Sequence, residues 1–199
     1  MRIDNIVNLG FNCSSTMVAR RLALFAGCSP FDWCIVNTRT ILDVFCCMFV
    51  HSIDECVEKF MRDIENSGGG FGVNAPHHTA NDREKIRRRF QRLLDLVKNR
   101  DKNILFTFIS THVPREDMGN DQVYFDLLKL SKIISLFRPT ETFKIVFVHC
   151  QDLSVPLEGN VENIQLPITE NPNNWVWPCH HHLKLKYGLE ENQTGGVWI

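Results

Sequence analysis

Long apolar runs are missing from this sequence. No segment approaches the roughly 20 consecutive apolar residues that cross a bilayer, so no membrane partner is expected. The opening MRIDNIVN lacks a basic stretch followed by an apolar core, which argues against an export signal. An excess of charge is missing too: 22 Lys and Arg stand against 23 Asp and Glu, a net charge of -1, and nothing global points to nucleic acid or an acidic surface. The eight cysteines show neither the regular loop spacing of a disulfide scaffold nor the paired spacing of a structural zinc site. The expectation is therefore free thiols in a reducing, cytoplasmic compartment, with no metal and no cofactor. Internal repeats and low-complexity segments are absent as well.

What is present is enough apolar residue, 44% of 199, for one domain over residues 1–199 with a proper core. Residues 6–9, 103–109 (NILFTFI) and 143–149 (FKIVFVH) read as buried strands, and 161–166 as a shorter one. Helical patterns lie between them. The first starts beside Cys13 and carries Val18, Leu22 and Phe25, with Gly27 placed to end it. Asn37 or Thr38 can cap a second through Ile41, Leu42, Phe45 and Phe49, and Ser52 a third through Val57, Phe60, Met61 and Ile64. Residues 82–99 make a clear amphipathic helix with Ile86, Phe90, Leu93, Leu94 and Val97 inward. A further helix over 121–137 is predicted to bury Phe125, Leu128, Ile133 and Leu136. Continuous apolar strands separated by helices predict an α/β fold, three layers around a mostly parallel sheet, whose site forms beyond the carboxyl ends of the strands.

Cys13 then sits where a strand gives way to a helix. Free amides and the positive end of the helix dipole favour a thiolate there, and the same amides, with Asn12 and Ser14, can receive an oxyanion. A nucleophilic cysteine needs a base. The candidates are His77 and His78 in a glycine-rich loop, His112 after a strand, and His180, His181 and His182 near the C-terminus. Asp32, in the turn Ser29-Pro30-Phe31-Asp32-Trp33, can orient an imidazole. Two non-catalytic readings stand beside this one: a binding module anchored by Trp175, Trp177 and Trp198, and a phosphate site on Arg88, Arg89 and Arg92. Cys179 and the three histidines after it hold metal-binding atoms, but adjacent ligands point in different directions.

Leu9-Gly10, Cys13 and the run from Ser29 to Trp33, followed by Arg88-Arg89-Phe90-Gln91-Arg92, resemble the LGxxC, SPFDW and RRxxRF pattern of an uncharacterised family labelled papain-like cysteine peptidases. The resemblance covers residues 7–33 and 77–109. It implies a thiol protease, with Cys13 as nucleophile, His78 or His77 as base and Asp32 as third member; apart from it, the residues suggest a cysteine-dependent hydrolase or acyl transferase with Arg88 at the substrate. The substrate class it implies is a peptide or another acyl compound. Papain-like enzymes set their cysteine helix against an antiparallel sheet, an α+β alternative. The order of elements is also similar to esterase-like hydrolases of the SGNH type, which would move the base to a C-terminal histidine such as His182, although no GDS or GxND motif is present.

Overall fold

The computed structural model describes residues 1–10, 13–22, 24, 27, 29–110, 120–150, 153, 159–166 and 176–191, without the side chains of residues 13, 14, 120, 176 and 177. Among the described residues four strands form one sheet: β1 (Asn5–Asn8), β2 (Ile104–Ile109), β3 (Phe143–His149) and β4 (Val161–Gln165). They lie in the order β1-β2-β3-β4, and each neighbouring pair is parallel. This is the sheet of an α/β protein, not of the antiparallel α+β alternative. β2 and β3 alternate between two buried faces, and both faces therefore read as apolar in the sequence.

On one face Phe106, Phe108, Ile145 and Phe147 meet helices α2 (Thr38–Val50), α3 (Ile53–Ile64), α4 (Arg83–Lys98) and α5 (Asn120–Ser135). On the other, Ile6, Leu105, Val146, Val148 and Ile164 meet α1 (Cys13–Arg20) and α6 (Val176–Tyr187). The sheet is thus the middle of three layers. Both expected caps form: Asn37 accepts from the Thr40 N–H (2.8 Å) and Ser52 from the Glu55 N–H (3.2 Å). Among the described residues, no helix is long and apolar enough to cross a membrane.

Two helices depart from the expected pattern. α1 ends at Arg20, short of Phe25, because the chain tightens into i→i−3 bonds at Arg21 and Leu22 and Leu22 then bridges to Glu191. α5 is rotated. It buries Val123, Tyr124, Leu127, Leu130 and Ile134, keeps the expected Leu128 and Ile133 partly buried against the same core, and leaves Phe125, with Leu136 just past its end, exposed. The phase is set by Asp126, whose buried carboxylate accepts from Thr38 Oγ1 on α2 (3.0 Å), Gln122 (2.9 Å) and Lys129 (3.1 Å). A buried charge needs such partners, and apolar residues all around α5 let the helix turn to supply them.

Candidate functional site

A parallel sheet brings the carboxyl ends of all its strands to one edge, and β1 ends there on Asn8, fully buried among polar groups. Its Nδ2 donates to Thr16 Oγ1 on α1 (2.9 Å) and to Asp32 Oδ1 (3.3 Å), while its Oδ1 accepts from the Gly10 N–H (3.1 Å). Asn8 thereby ties the strand, the first helix and the Ser29-to-Trp33 turn to one another.

The two sequence motifs that flank this site are packed against each other. Gly10 has φ +94°, and a Cβ placed on it would lie 2.4 Å from Val36 Cγ2 and 3.2 Å from Phe31 Cβ. Only glycine fits, on both conformational and steric grounds. Phe31 is fully buried and stacks on Phe45 of α2 at 6.4 Å. Ser29 holds the turn by accepting from the Phe31 N–H (3.2 Å). Trp33 is the unusual member: at φ 66° it occupies the left-handed region that a bulky residue rarely adopts. Its N–H donates to Thr16 Oγ1 (3.0 Å), the Arg20 guanidinium lies 5.6 Å over its ring, and His77 meets its edge at 5.7 Å. Strain of this kind concentrates at functional sites.

His78 enters from the opposite side. Its imidazole is buried against Phe60, with Nε2 3.2 Å from the main-chain oxygen of Asp32 and 3.4 Å from Arg89 Nη1. Arg89 Nη1 also donates to that oxygen at 3.5 Å. On the other edge of the ring, Nδ1 lies 3.8 Å from Asp82 Oδ2 and makes no hydrogen bond among the described residues. Asp82 is fixed by the Thr79 N–H (2.9 Å) and by Lys85 (3.2 Å). Two tautomers suit different contacts. A proton on Nε2 is donated to Asp32, whereas a proton on Nδ1 faces Asp82 and leaves the Nε2 lone pair to Arg89.

Electrostatics follow from burial. Desolvation drives the Asp32 carboxyl up to about 6, against the pull of Arg89, the Asn8 hydrogen bond and Arg20. Burial lowers the His78 imidazole below its ordinary value, opposed by the Asp32 carbonyl and reinforced by Arg89. Both groups are therefore biased toward their neutral forms.

The predicted site residues fare unequally. Asp32 and His78 are brought together through the Asp32 main-chain oxygen, while the Asp32 carboxylate accepts from Asn8. Asp82, one helical turn beyond His78, faces the imidazole instead; the T-x-x-D spacing of its capping box with Thr79 is the signal that marks it. Arg88 is exposed on α4, and the next residue, Arg89, is the one that turns inward. His77 is exposed beside Trp33. Cys13 opens α1, one turn before Thr16, as expected. Its side chain and that of Ser14 lie outside the described residues, as do Asn12, His112, Trp175 and Trp198 and the side chain of Trp177.

His180 occupies another place. His180 is buried beside the Arg21 main chain, with Glu191 and Lys184 nearby, and burial lowers its pKa. Arg21 lies just past the far end of α1, about 12 Å along the axis from its start. His181 is exposed and His182 half-buried on α6, while Cys179 is fully buried, so this run of four is divided between core and solvent. Among the described residues, no three His, Cys, Asp or Glu side chains gather to hold a metal ion. No family model, no curated protein and no solved structure matches this chain.

Proposed function

We propose that this chain is a cysteine-dependent hydrolase or acyl transferase, acting in a reducing cytoplasm on a peptide or other acyl substrate, with Cys13 as its nucleophile. The observation that carries the reading is the convergence of Asn8, Thr16, the Asp32 carbonyl, His78 and Arg89 at the carboxyl end of β1, beside the start of α1. Hydrogen bonds hold these buried polar groups in place, and in α/β sheets sites form at this edge.

In the working tautomer the proton moves to Nδ1, toward Asp82; Nε2 then no longer donates to the Asp32 carbonyl, and its lone pair turns from Arg89 to accept the thiol proton from Cys13. The thiolate adds to the acyl carbon, the π electrons move onto oxygen, and the first amides of α1 receive that charge. Collapse expels the leaving group, which takes the proton back from His78. Water, deprotonated by the same imidazole, then releases the acyl group; another nucleophile in its place gives transfer. The peptidase label attached to the resembling family fits this chemistry, whereas the parallel sheet suits an α/β hydrolase better than a papain-like layout.

Reaction with p-nitrophenyl acetate tests the proposal. The expected result is a burst of p-nitrophenolate with an acetyl group on Cys13, found by peptide mass spectrometry and absent from Cys13→Ser. Acetylation scattered over lysines, with none on Cys13, would overturn it.

A further inference from the structure

The buried sulfurs of Cys47 on α2 and Cys56 on α3 are 3.2 Å apart, with the Cys56 thiol donating to Cys47. The two helices form a corner joined through Ser52, and each cysteine lies near the end of its helix that faces this corner. Both thiols are free. Cys47 also lines a surface cavity of about 360 Å³, together with Asp43, Cys46, His51, Lys59 and Phe71. Cys47, 4% exposed, thus borders the cavity, and Cys56, at 0%, is held behind it.

We infer that Cys47 and Cys56 form a reversible disulfide in response to peroxide. The Cys56 thiol donates to the Cys47 sulfur, and burial together with that bond raises the Cys56 pKa and keeps it protonated in the resting state. Cys47 attacks the peroxide oxygen, the O–O bond breaks, and a sulfenic acid forms with release of one water. The Cys56 sulfur then displaces the hydroxyl of that sulfenic acid as a second water, giving the S–S bond. Overall, two thiols lose two electrons and two protons while hydrogen peroxide is reduced to two molecules of water. Closing the bond requires the sulfurs to approach from 3.2 Å to about 2.05 Å, a movement two helix ends can accommodate. Disulfides of reducing compartments belong to this transient, sensing kind. Phe60 lies one helical turn beyond Cys56 and its ring meets His78 at 6.5 Å, so the bridge adjoins the buried cluster at the end of β1.

The test is peroxide treatment of the reduced full-length protein, followed by alkylation under denaturing conditions and mapping without reductant. A protease that cuts after acidic residues separates Cys56 from Cys46 and Cys47, because it cleaves at Asp54 and Glu55. The expected result is a cross-linked pair of peptides containing Cys47 and Cys56, present at equal yield in Cys46→Ser, lost in Cys47→Ser and reversed by dithiothreitol. Wild-type protein in which Cys56 remains fully alkylated after peroxide, or is bridged to Cys46, would overturn the inference without bearing on Cys13.

Discussion

His78 Nε2 lies 3.2 Å from the main-chain oxygen of Asp32, a contact that joins the loop before α4 to the turn that packs on Gly10. Replacing His78 by Ala removes a buried partner of that oxygen and opens a cavity against Phe60. A loss of about 1–3 kcal/mol is expected from denaturant unfolding. Acylation of Cys13 should fall by at least about a hundredfold, a typical worth for a general base. His77→Ala, at an exposed ring, should leave both measurements within error.

Asp32 makes the protein less stable as pH rises. Its folded pKa of about 6 exceeds the ordinary 3.8, so the folded state holds more protons between those values, and stability falls as pH climbs through that window and stays lower above it. The cost at neutral pH is on the order of 3 kcal/mol. Asp32→Asn keeps an oxygen for Asn8 and removes the charge. Its unfolding midpoint should exceed that of wild type at pH 7.5, with roughly a third of that stability difference left at pH 4.5; equal differences at both values would contradict the assignment.

Gly10→Ala should destabilise by roughly 2–4 kcal/mol, from a positive φ and a 2.4 Å approach to Val36. Gly10→Ala combined with Val36→Ala relieves only the steric part. The double variant should therefore recover some stability relative to the sum of the single changes, measured as a coupling energy in urea.

Asp63 anchors the glycine-rich loop that leads to His77 and His78. Its carboxylate accepts from the N–H groups of Phe71 (2.8 Å), Gly72 (3.0 Å) and Val73 (3.0 Å). Asp63→Ala should cost roughly 2–4 kcal/mol. Amide hydrogen exchange should show residues 70–78 losing protection first, with the β2 and β3 amides unchanged.

Much of this architecture is legible in the sequence because single residues carry it. Two continuous apolar runs of strand length, rich in Phe, Ile and Val, read as strands buried on both faces, and Asn37 and Ser52 announce their helices. The α5 phase is not legible, since apolar residues surround that helix and the choice is made by Asp126 meeting Thr38 from 88 positions away. At the site, His78 and Asp32 stand out in the chain, yet their contact runs through a main-chain oxygen that no residue type advertises. Arg89 and Arg88 are indistinguishable in the motif. Only the helical phase of α4 separates them, because Ile86, Phe90 and Leu93 fix which arginine turns toward Asp32.

The most direct test is the pH dependence of iodoacetamide alkylation of Cys13 in the folded protein, with exposed Cys46 as an internal reference. Burial and Asp43 raise the Cys46 pKa, so that thiol should react slowly at neutral pH. Cys13 is expected to react first, with an apparent pKa well below the free-thiol value of about 8.5. Labelling of Cys13 no faster than Cys46 across the whole range would contradict its role as a nucleophile.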